Sequence, residues 1–146
     1  DHLRRTVDRA VALGVPEERI IVDPGHDLNK NTRHTLEITR RLDEIATLGL
    51  PVLAAVSNKD FIGESLDRHR HERLPGSLAA AAACVYGGAR ILRMHDADAS
   101  VSAARMLECV FGWREPARLV HNMGAENPPP DRSTLAGHRA HRGGRA

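Results

Sequence analysis

Aromatic side chains are scarce: two Phe, one Tyr and one Trp make up 3% of the 146 residues. Modules that bind single-stranded nucleic acid stack bases on aromatic platforms, so this composition argues against that class. The charge excess is also small, +2 at pH 7, and much of it sits near the end of the chain. There Arg132, Arg139, Arg142 and Arg145 face only Glu126 and Asp131. Without a basic footprint on the rest of the chain, no nucleic-acid partner is expected. No apolar run approaches the roughly 20 residues needed to cross a bilayer, and no signal-peptide pattern opens the chain. A membrane partner is therefore not expected, and the cytoplasm is the expected location. The only cysteines, Cys84 and Cys109, lie in apolar helical stretches, which points to buried reduced thiols rather than a disulfide scaffold. There is no Walker loop, no dinucleotide fingerprint, no nucleophile elbow and no Cys/His zinc spacing, so no metal ligand is assigned.

What is present is ordinary globular composition, 41% hydrophobic and 27% charged, enough for one compact domain. The chain opens on Asp1 and runs straight into a helical pattern, as a piece cut from a longer protein is expected to do. Leu3, Val7, Ala10 and Val11 share one helical face, and Gly14 stops that helix. Arg19–Val22 reads as a β-branched strand ending at Asp23-Pro24-Gly25. A second helix is expected over about Thr32–Leu48, with Ile38, Leu42 and Ile45 inward. Val52–Val56 reads as a strand ending at Ser57-Asn58-Lys59-Asp60. A third helix covers Ser77–Tyr86, a third strand Ala89–Met94, and a last helix about Ala99–Phe111.

Uniformly apolar strands alternating with helices imply a parallel sheet covered by helices. Two α/β architectures fit: a doubly wound open sheet, or part of a (β/α)8 TIM barrel. A whole barrel needs roughly 200–250 residues and eight strands; three β/α units make at most its C-terminal part. Residues 1–123 are assigned to this partial barrel. Residues 124–146, rich in Pro, Arg and His without apolar periodicity, read as a disordered tail.

In either architecture ligands meet the carboxyl ends of the strands, and the polar residues gather there: Asp23, Lys30, Ser57, Asn58, Lys59, Arg93, His95 and Asp96. Lys30 and Lys59 are the only lysines among 21 basic residues. Both lie just past strand ends, where a compact point charge differs from the planar guanidinium used elsewhere. Taken singly, Asp23-Pro24-Gly25 also reads as a plain turn, and Ser57–Asp60 as a loop leading into the next helix. The run from Arg68 to Arg73 reads as an exposed loop. Alternation puts Arg93 and His95 on one side of their strand with Met94 opposite, a natural pair for phosphate or diphosphate.

Three ordered motifs resemble dihydropteroate synthase, the pterin-binding barrel of folate synthesis: Asp23-Pro24-Gly25 followed by Lys30, Ser57-x-Lys59 followed by Phe61-Ile62-Gly63, and Arg93-x-His95-Asp96. The resemblance covers about residues 1–112. It implies a transferase that joins p-aminobenzoate to dihydropterin methyl diphosphate, and a homodimer as the full-length protein. It also implies Mg²⁺, whose ligand belongs to the N-terminal strands of the family's barrel. Asp23 would accept the paired N–H groups of the pterin's amino-pyrimidine edge, with Lys59 on the ring's polar edge. Arg93 and His95 would hold the departing diphosphate. Lys59, Arg93 and His95 are thus the catalytic candidates. Ser57 would help bind the aminobenzoate carboxylate, and Lys30 and Asn58 are further substrate-binding candidates.

Two departures fall in the aminobenzoate half of the site. Leu28 stands where the family has a glycine-flanked Phe, and Asn58 stands where it has Arg. Losing a ring contact and a cation would remove a few kcal/mol of acceptor binding. Beside a working synthase, the sequence therefore admits a pterin-binding homologue without synthase activity. A methyltetrahydrofolate methyltransferase-type barrel is a third reading, in which Arg93 and His95 would have no diphosphate to hold.

Overall fold

The computed structural model describes residues 1–122. The expected tail, 124–146, lies outside the described residues. The chain divides into two compact units, Asp1–Glu108 and Cys109–Ala146. In the described part of the second, Phe111 and Trp113 pack with ring centroids 4.8 Å apart, and the Cys109 thiol lies 3.8 Å from the Glu115 carbonyl.

The first unit is an α/β fold. Its elements are α1 (His2–Ala12), α2 (Thr32–Arg40), α3 (Leu42–Ala46), β1 (Leu53–Ala54), α4 (Asp60–Leu66), α5 (Leu74–Tyr86), β2 (Ile91–Leu92) and α6 (Ala97–Val110), the last running on past the unit's boundary. Parallel strands run side by side in chain order, as the alternation predicts. Leu53 pairs with Ile91 and Ala54 with Leu92 in parallel register, and a parallel bridge joins Val22 to Val52. The strands are shorter than their apolar runs. The Val22 amide donates to Pro51 O at 3.0 Å and the Leu53 amide to Val22 O at 2.8 Å. A 3₁₀ turn over Glu17–Arg19 takes up the start of the expected first strand.

The second expected helix is two helices. Arg41 leaves helical geometry (φ −109°, ψ 27°) between α2 and α3. Its guanidinium bridges Glu37 at 2.9 Å and Glu44 at 2.6 Å, so the break is braced at the surface. Between β1 and α5, where the sequence reads as loop, stands α4, whose Phe61, Ile62 and Gly63 are buried. The third helix begins three residues earlier than expected, with Pro75 in its first turn, where the missing N–H has no partner to lose.

The apolar faces meet on the inner strands. Leu42, Val52, Ala54, Val56 and Cys84 are buried, with Val7 of α1 and Phe61 of α4 completing the cluster. Ile45 and Met94 pack against it half-buried. Gly88 permits one close approach: it sits at φ +104°, and a Cβ there would come within 2.7 Å of Ala46.

Candidate functional site

Three polar loops leave the carboxyl ends of the three parallel segments, and the structure builds each differently. The first follows Val22. Asp23 accepts the Gly25 amide at 2.8 Å through Oδ1, the Asx turn that the turn reading predicts. The other carboxylate oxygen takes no part in that turn. Gly25 has φ +70°, and its carbonyl accepts from Lys30 Nζ at 3.0 Å, with the Leu28 carbonyl second at 3.1 Å. Lys30 thus folds back over its own loop. Asp23 and Lys30 line one cavity of about 980 Å³ together with Leu28, and its wall does not include Lys59, Arg93 or His95. Leu28 is 60% exposed.

The second loop follows Val56. Ser57 is buried, and its hydroxyl accepts the His95 amide at 3.2 Å, which ties the second strand tip to the third. Asn58 lies in the left-handed region at φ +56°. Its amide donates to Ser77 Oγ at 2.9 Å. Lys59 is the N-cap residue of α4 and is half-buried.

The third tip continues the ladder, with the Arg93 amide donating to Ala54 O at 3.0 Å. Arg93 and His95 are exposed while Met94 packs on the core, the alternation expected of a strand end. Asp96 turns to structure: its carboxylate accepts the Ala99 amide at 2.9 Å and caps α6.

Among these loops sits His26, to which sequence reasoning assigns no role. It is 1% exposed, stacked beside Phe61 with centroids 6.4 Å apart, and its Nε2 lies 4.0 Å from Cys84 Sγ. Burial holds its pKa below the ordinary 6.5; Asp23 and Asp27 push the other way, while Lys59 and Lys30 add to the lowering. The imidazole is therefore neutral at pH 7. The charges of Asp23, Lys30 and Lys59, from two loops, are all felt at this ring, whose direct neighbours are Phe61 and Cys84.

Sequence reasoning also missed Arg73. It is not part of an exposed loop: its side chain is 15% exposed. Its Nη1 donates to the carbonyls of Asn58 at 3.0 Å and Lys59 at 3.3 Å and to Asp60 Oδ1 at 2.9 Å. The guanidinium lies so close over Gly63 that a Cβ there would collide with it. Gly63 of the second motif is thus a place where only glycine leaves room for the clamp on the Lys59 loop.

Residues 1–95 match the profile of a family described as pterin binding enzyme. The chain belongs to that family. Its relatives include dihydropteroate synthases. The chain is 43% identical over 116 residues to "Inactive dihydropteroate synthase 2" of Mycobacterium leprae, covering 80% of this chain and 40% of that protein. It is 36% identical over 112 residues to the dihydropteroate synthase of Escherichia coli K12, covering 77% of this chain and 40% of that one. Among solved structures, the Xanthomonas albilineans dihydropteroate synthase in complex with 7,8-dihydropteroate superimposes with a TM-score of 0.74 at 33% identity, over 79% of this chain and 44% of that chain. The chain thus spans about two fifths of the length of the curated relatives it matches.

No helix among the described residues is long and apolar enough to cross a membrane. No three His, Cys, Asp or Glu side chains among the described residues gather as a metal site requires.

Proposed function

We propose that this chain forms the last three β/α units, residues 1–123, of a (β/α)8 pterin-binding barrel whose full-length form is a dihydropteroate synthase-type transferase. The observation that carries the reading is the placement of Asp23, of Ser57 with Lys59, and of Arg93 with His95 at the carboxyl ends of three adjacent parallel segments, the second and third tips tied by the Ser57–His95 hydrogen bond. Asp23 offers a carboxylate to the paired N–H donors of an amino-pyrimidine edge. Lys59 donates to the ring's carbonyl edge, and Lys30 closes the loop beneath it. Arg93 and His95, exposed on the same side of the third tip, take the diphosphate. In the reaction the amine of p-aminobenzoate attacks the methylene carbon of dihydropterin methyl diphosphate. The carbon–oxygen bond breaks, diphosphate leaves with the bonding pair, and the amine loses a proton. Donors fixed on the leaving oxygens favour the transition state, where that charge grows.

In this reading Ser57 and Asn58 border the acceptor. The full-length protein is a cytoplasmic homodimer, and magnesium is held by residues outside this chain. A second reading is favoured by specific observations: Leu28 is exposed, and Asn58 is turned to Ser77, where the family motif has a ring and a cation. That reading is a pterin-binding homologue without synthase activity.

The test incubates the full-length protein with dihydropterin methyl diphosphate, p-aminobenzoate and Mg²⁺, following dihydropteroate by mass spectrometry and diphosphate release in parallel. The Asp23→Asn variant serves as control. Dihydropteroate that disappears in the variant supports the synthase. Pterin binding without product supports the homologue, and Leu28→Phe with Asn58→Arg is then expected to restore aminobenzoate use. Absence of product together with absence of pterin binding, read by fluorescence titration of 6-hydroxymethylpterin, would refute the pterin reading altogether.

A further inference from the structure

Lys59 is the N-cap residue of α4, yet a lysine side chain has only donors and cannot cap a helix N-terminus. The first-turn amides of α4 need acceptors from elsewhere. One comes from 34 residues away: Asp27 Oδ2 accepts the Phe61 amide at 3.2 Å. The same carboxylate accepts from Thr35 Oγ1 at 3.0 Å through Oδ1, while the Asp27 amide donates back to Thr35 Oγ1 at 3.2 Å. Thr35 is fully buried on α2, so this reciprocal pair is anchored in the core. Asp27 adopts φ +60° to make it. One side chain therefore joins three segments: the Asp23–Lys30 loop, α2, and the start of α4 directly after Lys59.

We infer that Asp27 is a positioning residue: by capping α4 from the Asp23–Lys30 loop, it sets where Lys59 stands relative to Asp23. This rests on the pterin reading above and assigns a specific coupling within it. Lys59 is held on both sides, by Arg73 on its carbonyl and by Asp27 on the amide two residues on. Removing the Asp27 carboxylate releases the second hold while leaving Lys59 itself intact. The two motif loops then move independently, and a ligand gripped by both loses part of that grip.

The experiment uses the full-length protein and Asp27→Gly, since glycine accepts φ +60° without strain. Thr35→Val is the second variant, should the first fail to fold. Two readouts are taken. In the unliganded protein, hydrogen exchange at the Phe61 amide is expected to accelerate in Asp27→Gly by about tenfold or more; an unchanged rate would overturn the cap. For ligand, 6-hydroxymethylpterin is titrated by its own fluorescence into wild type, Asp27→Gly, Lys59→Gln and the double variant. Asp27→Gly is expected to weaken binding about tenfold, the scale of one lost charge-assisted hydrogen bond. The double variant is expected to bind no worse than Lys59→Gln alone, because Asp27 acts through Lys59. Losses that multiply would mean Asp27 supports the fold and nothing more, which overturns the inference while the pterin reading stands. A wild-type protein that does not bind the pterin would refute that reading and the inference with it.

Discussion

Replacing Arg73 by Met keeps the aliphatic stem and removes the guanidinium, so the change isolates the clamp on the Lys59 loop. Four contacts go: Nη1 to the Asn58 and Lys59 carbonyls, Nη1 to Asp60, and Nε to the Arg68 carbonyl at 3.1 Å. The Asp60 carboxylate is 83% exposed, so that ion pair contributes at most about 1 kcal/mol. The Asn58 and Lys59 carbonyls belong to half-buried residues beneath the guanidinium that packs on Gly63. Each such bond contributes about 1 kcal/mol, and more when the acceptor is left dry. The expected loss for Arg73→Met is therefore about 3 kcal/mol in urea unfolding of the full-length protein, followed by far-UV circular dichroism. Arg73→Lys, which reaches with one nitrogen and no fork, is expected to recover about half of it. A cost for Arg73→Met below about 0.5 kcal/mol would refute the reasoning, because the carbonyls would then be satisfied equally well by water.

Gly63→Ala is expected to displace the same guanidinium and to destabilise by a similar amount; combined with Arg73→Met its cost should largely vanish, read in the same unfolding assay. His26 gives a pH dependence with a definite sign. Its folded pKa lies below 6.5, so the unfolded chain takes up a proton first as the pH falls. Stability is full above pH 6.5 and declines as the pH drops through the folded pKa, and His26→Phe should flatten that decline in melts between pH 7 and 5. The Cys84 thiol, pushed up to about 11 by burial, should resist a thiol reagent at pH 8 in the native protein and react on unfolding; rapid native labelling at Cys84 would contradict its burial. Asn58→Ala should cost about 1 kcal/mol, because alanine resists the left-handed backbone at φ +56° that asparagine tolerates.

The helix–strand alternation was legible because β-branched apolar runs bounded by Gly and Pro carry their own signal, and the parallel order of the three segments followed from it. The break at Arg41 was not, for no Gly or Pro marks it and the brace between Glu37 and Glu44 looks like an ordinary surface pair of a continuous helix. Helix α4 escaped notice because seven residues containing a glycine offer too little periodicity. At the site, Asp23, Lys30 and Lys59 could be picked out by residue type at strand ends. Arg73 could not, since its partners are mainly backbone carbonyls, which leave no trace in residue type. Asp27 and His26 lie between Gly25 and Lys30, where residue type alone does not separate a ligand contact from a support. The structure spends Asp27 on a helix cap and buries His26 against Phe61 and Cys84.

The parallel segments also leave both flanks of the small sheet open among the described residues. Val22 bridges only toward Val52, and β2 pairs only with β1, while Ile21 stands 54% exposed beside the first of these edges. A parallel edge is a row of unpaired amides and carbonyls waiting for a neighbour. Split as a separate polypeptide, this chain is therefore suited to fragment complementation. A second polypeptide carrying strands for both flanks would seat along the two edges at once.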